Sequence, residues 1–385
     1  MRRSRRLPAD LGLNRLAAAR ARLDPIPCDL TSSNPPACDL SYPPDLLTTL
    51  ADPRGLRYEP DPRGPAPARA AVTAAYRGWG LELDPDRVVL TASTSEAYGF
   101  LFRLLADPGD TVLVPSPSYP LFAQLGGLDG VRTAAYELDR EALWRLDLGA
   151  LAAAPPRTRA VVVVHPNNPT GSFVHPEDAR ALAGLCRERG WALIADEVFL
   201  PYPLEGGPGA GASFAGVADC LCCSLGGLSK SAGLPQLKLA WIVVSGPEPE
   251  VAAALEGLDY VADAYLSVST PVALAAPELL ARGGAIGAAI AERCAANLAT
   301  LRRLAAAAPA VEVPPVGGGW SVVLRVPALA DDDTLCLELL EDHGVAVHPG
   351  HLFGFDRPGF LVLSLLPPPG IFGEGVRRLL AVVAG

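Results

Sequence analysis

The sequence lacks the features that mark nucleic-acid-binding and membrane-spanning proteins. Its 32 Lys and Arg residues are outnumbered by 42 Asp and Glu residues, and the formal charge of −10 argues against a basic face for nucleic acid. No apolar run reaches the roughly 18 residues that span a bilayer. The basic N-terminal residues are not followed by the apolar segment of a secretory signal. We therefore expect a soluble, cytoplasmic protein with neither a nucleic-acid nor a membrane partner.

Metal sites are not indicated either. The eight cysteines are scattered, and no pair of C-x-x-C motifs stands at the spacing of a zinc site. Cys220, Cys222 and Cys223 lie in a short apolar run, which predicts buried strand residues in a reducing compartment. His348 and His351 are three residues apart, but no acidic residue close by in the sequence would complete a metal site. No metal is expected.

The length of 385 residues indicates two domains, or one large domain with an appendage. Short, continuously apolar runs alternate with helical stretches, which predicts strands buried on both faces and a mostly parallel sheet. The predicted strands are 87–91, 111–114, 160–164, 191–195, 220–224 and 239–244, and the helices include 67–79, 95–105 and 176–189. An Ala-rich helix over 271–307, strands over 321–326 and 360–365 and a closing helix over 373–383 follow. We expect a large domain over 50–272 and a small α+β domain that combines 1–49 with 273–385.

Polar motifs follow the predicted strands at their carboxyl ends, where open parallel sheets bind ligands. Residues 91–97, with Ser93, Thr94 and Ser95, join a strand to a helix. Their hydroxyl and backbone N–H groups suit a phosphate, although such a segment is also an ordinary helix cap. Residues 115–120 place Tyr119 at the tip of a Pro-stiffened loop, where it either stacks on a planar ring or packs as a common loop tyrosine.

Three further motifs carry groups suited to chemistry. Asn167 and Asn168 follow a run of four valines, which suggests a polar contact to a ligand. Asp196 ends an apolar strand, where a carboxylate needs a cationic partner or an exposed position at the sheet edge. Lys230 lies in a turn of small residues after another apolar strand. A lysine in such a pocket can lose its proton and form an imine.

The set resembles the fold-type I pyridoxal-phosphate enzymes, specifically the class I and II aminotransferases of the aspartate aminotransferase superfamily. Asn-Pro-Thr-Gly, then Asp-Glu about 25 residues later, then Ser-Lys about 35 residues beyond, is a specific combination. The resemblance implies an α/β fold whose large domain has a mostly parallel seven-stranded sheet flanked by helices, with a smaller α+β domain. It also implies pyridoxal 5'-phosphate as the cofactor.

The resemblance assigns roles by position. Lys230 would hold the cofactor as a Schiff base and move the proton between substrate and cofactor. Asp196 would pair with the pyridine nitrogen, which keeps the ring able to accept electrons. Tyr119 would stack on the ring, and Asn168 would bond to its phenolic oxygen.

The cofactor's phosphate would be surrounded by residues from several motifs. Lys238 stands where the family usually has an arginine, so the charge is kept but the bidentate fork is lost. Tyr58 matches a tyrosine that reaches the phosphate of the neighbouring subunit, which implies a homodimer with shared active sites. The remaining phosphate-binding residues would be Ser93, Thr94, Ser95 and Ser229.

The sequence departs from the family pattern at three positions. Phe199 replaces a tyrosine that donates to the phenolic oxygen, and Tyr202 is a weak substitute. Gly227 replaces a phosphate-contacting Ser or Thr. Val362 replaces the arginine that grips the substrate's α-carboxylate, and the nearest alternative cations in the sequence are Arg325 and Arg357.

The implied activity is biosynthetic amino-group transfer between an amino acid or amine and a 2-oxo acid. Phe199 and Val362 keep an alternative open, which is a lyase, decarboxylase, racemase or oxidase of the same fold. A regulator with an aminotransferase-like domain is disfavoured, because only about 30 residues precede the resemblance and the chain is acidic.

Overall fold

The computed structural model describes residues 3–23 and 25–384. Its strands are β1 (Cys28–Asp29), β2 (Val88–Thr91), β3 (Thr111–Ser116), β4 (Arg132–Asp139), β5 (Arg145–Leu146), β6 (Thr158–Val164), β7 (Ala192–Asp196), β8 (Cys222–Gly227), β9 (Ala240–Ser245), β10 (Ser321–Arg325), β11 (Val345–Ala346), β12 (His348–Pro349) and β13 (Phe360–Ser364). Its α-helices are α1 (Arg15–Arg22), α2 (Ala66–Tyr76), α3 (Thr94–Leu105), α4 (Phe122–Asp129), α5 (Leu148–Ala152), α6 (Pro176–Arg189), α7 (Leu228–Ser231), α8 (Glu248–Asp263), α9 (Thr270–Ala305), α10 (Asp332–Glu341) and α11 (Pro369–Val383).

The large sheet has the strand order β2-β9-β8-β7-β6-β3-β4-β5. The inner pairs from β8 to β4 are parallel, whereas β9 runs antiparallel to both of its neighbours and β5 is antiparallel to β4. The expected sheet of seven strands is therefore mostly parallel, but the two-residue β5 extends it to eight. β4 is missing from the strands predicted from local sequence. Only Tyr136 and Leu138 of its eight residues are buried, so it lacks the continuous apolar run of a central strand.

The inner strands are buried on both faces because helices cover the sheet on each side. In β6, Val162 and Val164 pack into one core with residues of α3 and α8. The intervening residues Val161 and Val163 pack into a second core with residues of α6. Successive side chains of a strand point to opposite faces, so one valine run supplies both cores.

A second, smaller set of elements is built from the two ends of the chain. β10, β13 and β12 form an antiparallel sheet, and Cys28 of β1 pairs in parallel with Val345 of β11. Helix α11 packs against α9 and β1. The division into residues 50–272 and residues 1–49 with 273–385 stays a prediction.

Helix α9 departs from the expectation that no segment could span a membrane. An 18-residue window within its 36 residues has a mean hydropathy of 1.2, so length and composition alone would allow it to cross a bilayer. In the structure α9 packs against α2 and α11. Leu279, Ile286 and Leu301 belong to its buried face and to the hydrophobic core. These contacts are those of a core helix.

Candidate active site

A cavity of about 460 Å³ lies at the carboxyl ends of the central strands, between the large sheet and β10–β13. Most of the residues singled out in the sequence line it together. They are Ser93, Thr94, Ser95, Tyr119, Asn168, Asp196, Ser229, Lys230 and Lys238. Tyr58 is absent from this wall, and its side chain is 77% exposed on the surface.

Both lysines of the protein line this cavity. The sequence contains Lys230 and Lys238 and no other lysine, since its basic residues are otherwise arginines. Lys230 is half-buried, with its Nζ 4.9 Å from the ring centroid of Trp320 and 5.5 Å from that of Phe199. Burial lowers the pKa of Lys230, and the Asp196 charge opposes this shift. The arrangement favours the neutral, nucleophilic amine that imine formation requires.

The start of α3 lines the same cavity as the lysines and has the features of an anion site. Ser93 is the N-cap residue, and its hydroxyl accepts a 3.1 Å hydrogen bond from the Glu96 N–H. The Glu96 carboxylate in turn accepts a 2.7 Å bond from the Ala92 N–H. This reciprocal capping fixes the first turn of the helix, whose free N–H groups and positive dipole end suit a phosphate.

Asp196 is buried at the end of β7. Its Oδ2 accepts a 2.9 Å hydrogen bond from the Tyr98 hydroxyl, and its Oδ1 accepts a 3.2 Å bond from the Val198 N–H. Burial raises the pKa of Asp196, while these two donors and the Lys230 charge lower it. Within residues 3–23 and 25–384 the carboxylate forms no salt bridge. A cationic group of a ligand beside the carboxylate would therefore be stabilised, because the buried charge has no other cation among these residues paired with it.

Asn167 joins two of the loops that line the cavity. Its side-chain nitrogen donates to the Pro117 carbonyl at 3.0 Å and to the Thr170 hydroxyl at 2.8 Å. Its side-chain oxygen accepts a 2.9 Å bond from the Ser118 hydroxyl. The neighbouring Tyr119 and Asn168 are thereby held on the same wall, and Oδ1 of Asn168 is a buried atom without a hydrogen-bond partner. The sequence indicates a polar contact for Asn167, but it does not indicate that this side chain connects the two loops.

Tyr202, Arg325 and Arg357 do not replace the family residues that are missing at Phe199 and Val362. Tyr202 is fully buried and its hydroxyl donates to the Lys230 backbone carbonyl, so it does not replace the tyrosine missing at Phe199. Arg325 pairs with Glu312, and Arg357 is exposed; neither lines the cavity, whereas Val362 does. No arginine appears in the cavity wall formed by the described part of the chain.

Comparison with known proteins shows which family the chain belongs to. The sequence profile described as Aminotransferase class I and II matches residues 33–369. The chain belongs to the class I and II aminotransferases. It is 29% identical over 350 residues to the alanine aminotransferase of Mycobacterium tuberculosis, which covers 87% of this chain and 79% of that protein. The valine–pyruvate aminotransferase of the same organism is also 29% identical, over 81% of this chain and 79% of its own length.

The fold of the aminotransferase agrees with that of solved structures. A double mutant of aspartate aminotransferase from Thermus thermophilus superposes with a TM-score of 0.83 at 25% identity, covering 99% of this chain and all of the other. The protein is thus a fold-type I, pyridoxal-phosphate-dependent enzyme that transfers an amino group. These comparisons support amino-group transfer over the lyase, decarboxylase, racemase and oxidase alternatives.

The cavity of the aminotransferase fits pyridoxal phosphate. The α3 N-terminus with Lys238 suits its phosphate, Asp196 suits a ring cation, and the Asn168 side-chain amide lies on the same wall. When bound, the cofactor supplies an aldehyde that links to amines and a ring that withdraws electrons from the substrate's Cα. Lys230 would offer the amine for attachment and a base for moving the proton, and the rings of Phe199 and Trp320 lie beside that amine.

Proposed function

We propose that this aminotransferase takes its amino group from a small, apolar α-amino acid and passes it to a small 2-oxo acid. The observation that carries the proposal is the meeting of Lys230, Asp196 and the α3 N-terminus in one cavity. The rest of the cavity wall is largely apolar, and Val198 and Leu352 are among its residues. The relatives named for alanine and for valine and pyruvate support substrates of this size.

The residue roles in the proposal follow from position. Lys230 binds the cofactor covalently and carries the proton to and from the substrate Cα. Asp196, oriented by Tyr98, holds the positive charge of the ring nitrogen. Tyr119 covers the ring, and Asn168 bonds to the ring's oxygen.

The phosphate in this proposal lies against the first turn of α3, against Ser229, which precedes Lys230, and against Lys238, eight residues after Lys230. Free backbone N–H groups and hydroxyls of the α3 turn provide the donors, and Lys238 adds a positive charge. The contributing residues are Ser93, Thr94, Ser95, Ser229 and Lys238.

We further propose a homodimer in which Tyr58 completes the partner's site. Tyr58 is 77% exposed and lies outside the cavity of its own chain, as expected of a residue that acts across an interface. Exposed aromatic side chains at Tyr260 and Tyr265 also suit a contact surface. A cytoplasmic location and a biosynthetic role complete the proposal.

Chemical fixation tests the lysine assignment. The holoenzyme is reduced with borohydride, digested and analysed by mass spectrometry for the cofactor mass on each lysine. We expect the label on Lys230, its loss in Lys230→Ala, and its retention in the matched variant Lys238→Ala. A label on Lys238 in the wild-type protein would contradict the assignment. Amino acids that convert the cofactor to its aminated form, with the 2-oxo acid as product, would support transfer. Release of ammonia or carbon dioxide in its place would indicate one of the alternative reactions.

Hybrid dimers test the shared site. Lys230→Ala and Tyr58→Ala chains are mixed, unfolded and refolded together. If Tyr58 acts across the interface, each hybrid has one site with both residues intact, and activity rises above that of either parent. If Tyr58 acts within its own chain or not at all, the mixture shows no such gain.

A further inference from the structure

The cavity wall contains an imidazole that the cofactor roles leave free. The side chains in this wall able to carry positive charge, among the residues described, are Lys230, Lys238 and His348. The proposed function uses both lysines for the cofactor. His348 is therefore the remaining candidate for an interaction with a negatively charged part of the substrate.

His348 lies beside the position of the missing arginine. It pairs with Val362 in the antiparallel register of β12 and β13. Side chains at directly paired positions lie on the same face of a sheet, with Cβ atoms about 4.5–5.5 Å apart. Both residues line the cavity, and Val362 is only 1% exposed. The imidazole thus occupies the wall next to the point where a guanidinium would otherwise emerge.

The His348 ring has no polar partner of its own. The rings of His165, His175 and His351 each have a hydrogen-bond or ion-pair partner, whereas none of the described residues provides one for His348. Its ring contacts Phe353 edge-on, with the centroids 5.8 Å apart. An N–H group in this setting is available to a ligand.

Burial, more than the nearby charges, favours the neutral form of the His348 ring. Burial lowers the pKa of His348, and the nearby Arg20 guanidinium lowers it further, while the Asp29 carboxylate raises it. Arg20 donates to Asp29 at 2.9 Å and to the hydroxyl of Thr31, a cavity residue, at 2.8 Å. The charges of Arg20 and Asp29 therefore neutralise each other, and Thr31 lies between this ion pair and the cavity. A carboxylate against the imidazole would be stabilised by the N–H and would favour uptake of a proton.

We propose that His348 binds the α-carboxylate of the amino donor, in place of the arginine that Val362 has displaced. The inference rests on the proposed function, because it assumes that an amino acid enters this cavity. It assigns the enzyme to amino acid donors and not to carboxylate-free amines. The binding contact is a single N–H bond in place of a bidentate fork, so carboxylate affinity is lower than an arginine would give.

Paired donors with the same side chain test the inference on the holoenzyme. L-Valine is compared with isobutylamine, and L-alanine with ethylamine. His348→Leu is expected to raise KM for the amino acids roughly 10- to 100-fold, the range for loss of a hydrogen bond to a charged group, and to leave the amines unaffected. His348→Gln keeps an N–H donor and is expected to recover most of the affinity. Val362→Ala alters the neighbouring position in the register and should change both members of a pair alike.

Binding of an unreactive acid gives a readout that does not depend on turnover. Isobutyrate is titrated into the holoenzyme by calorimetry, with isobutyramide as the uncharged control. We expect isobutyrate to bind the wild type more tightly than His348→Leu, and isobutyramide to bind both equally. Equal binding of isobutyrate to the two proteins would overturn the inference, as would preference for isobutylamine over valine. In both cases transamination by the wild type would still stand. Failure of every donor to convert the wild-type holoenzyme would refute the proposed function, and the isobutyrate titration would still decide the role of His348.

Discussion

The hydroxyl of Tyr98 donates a 2.9 Å hydrogen bond to Oδ2 of Asp196, and both side chains are buried at the floor of the cavity. Tyr98 comes from the second turn of α3 and Asp196 from the end of β7. The bond therefore connects the helix that presents the phosphate site to the carboxylate that faces the cofactor ring. Because it lowers the pKa of a carboxyl that burial raises, it helps to keep Asp196 charged.

Tyr98→Phe is expected to weaken cofactor binding about tenfold, since one hydrogen bond to a charged group is lost. Affinity is measured by fluorescence titration of the apoprotein with pyridoxal phosphate. Tyr136→Phe is the matched control, because the Tyr136 hydroxyl is also buried and donates to the Val162 carbonyl, outside the cavity lining. Both variants should lose stability, but only Tyr98→Phe should lose cofactor affinity. Equal cofactor affinity in the two variants would show that the Tyr98 bond has only a structural role.

Phe199→Tyr is expected to lower the pKa of the link between Lys230 and the cofactor by about one unit, the equivalent of one hydrogen bond. Phe199 lines the cavity 5.5 Å from Lys230 Nζ, so an added hydroxyl can donate to the cofactor's phenolic oxygen and stabilise the deprotonated link. The measurement is a pH titration of the visible absorption band. Phe353→Tyr, another substitution in the cavity wall, serves as control and should leave the midpoint unchanged. An unchanged midpoint in Phe199→Tyr would mean that the hydroxyl does not reach the cofactor.

Lys238→Ala is expected to reduce affinity for pyridoxal phosphate by about tenfold or less, because the lysine is exposed and its charge is screened. Lys238→Arg should bind at least as tightly as the wild type, since the guanidinium offers a bidentate contact to phosphate. Lys238 has φ of 53°, and the three side chains compared all carry a Cβ, so backbone strain is similar in each. Binding of pyridoxal, which lacks the phosphate, is the control. A loss of pyridoxal affinity equal to that of pyridoxal phosphate would show that Lys238 does not act on the phosphate.

Glu197 is expected to make the protein less stable as the pH rises through neutrality. Burial, with a contribution from the Asp196 charge, raises the pKa of Glu197 to about 8 in the folded state, from its ordinary value of 4.5. The folded state therefore binds a proton that the unfolded state has already lost between these values. Stability is fully present below about pH 4.5 and falls by about 1.4 kcal/mol per pH unit until about pH 8.

Glu197→Gln should remove this pH dependence, because a glutamine mimics the protonated form. Its amide oxygen can still accept from the Phe214 N–H, and its nitrogen can donate to the Ser213 hydroxyl. Urea unfolding between pH 5.5 and 8 measures the slope, and the exposed Glu256→Gln should retain the wild-type slope. A wild-type slope in Glu197→Gln as well would assign the pH dependence to other groups.

Local signals in the sequence were sufficient for much of the fold and site. Helix α6 begins and ends at the predicted residues 176 and 189, because Pro176 at its first position and Gly190 after its end are strong local signals. The β2–α3, β6 and β8 motifs could be placed at one edge because parallel strands end at the same side of a sheet. The strand β4, next to the edge strand β5, is not predicted because its partly charged sequence lacks a continuous apolar run.

Contacts between distant segments could not be predicted in this way. Tyr98 lies four residues beyond Thr94, so helical spacing alone could have placed it under the phosphate motif. Its partner Asp196 depends on how α3 packs against the sheet. Tyr202 was near enough in sequence to suggest a cavity residue, yet its hydroxyl turns to the Lys230 backbone.

The sequence by itself determined the family, the cofactor and the fold class, because each motif is a local strand-to-loop signal whose order and spacing are specific. Only the tertiary structure decided which groups complete the site. It excluded Arg325 and Arg357 from the cavity and placed His348 next to Val362, since the register between β12 and β13 brings together residues that have no pattern in common along the chain. Side-chain neighbours across strands and between domains are set by packing of the whole chain, and no local periodicity encodes them.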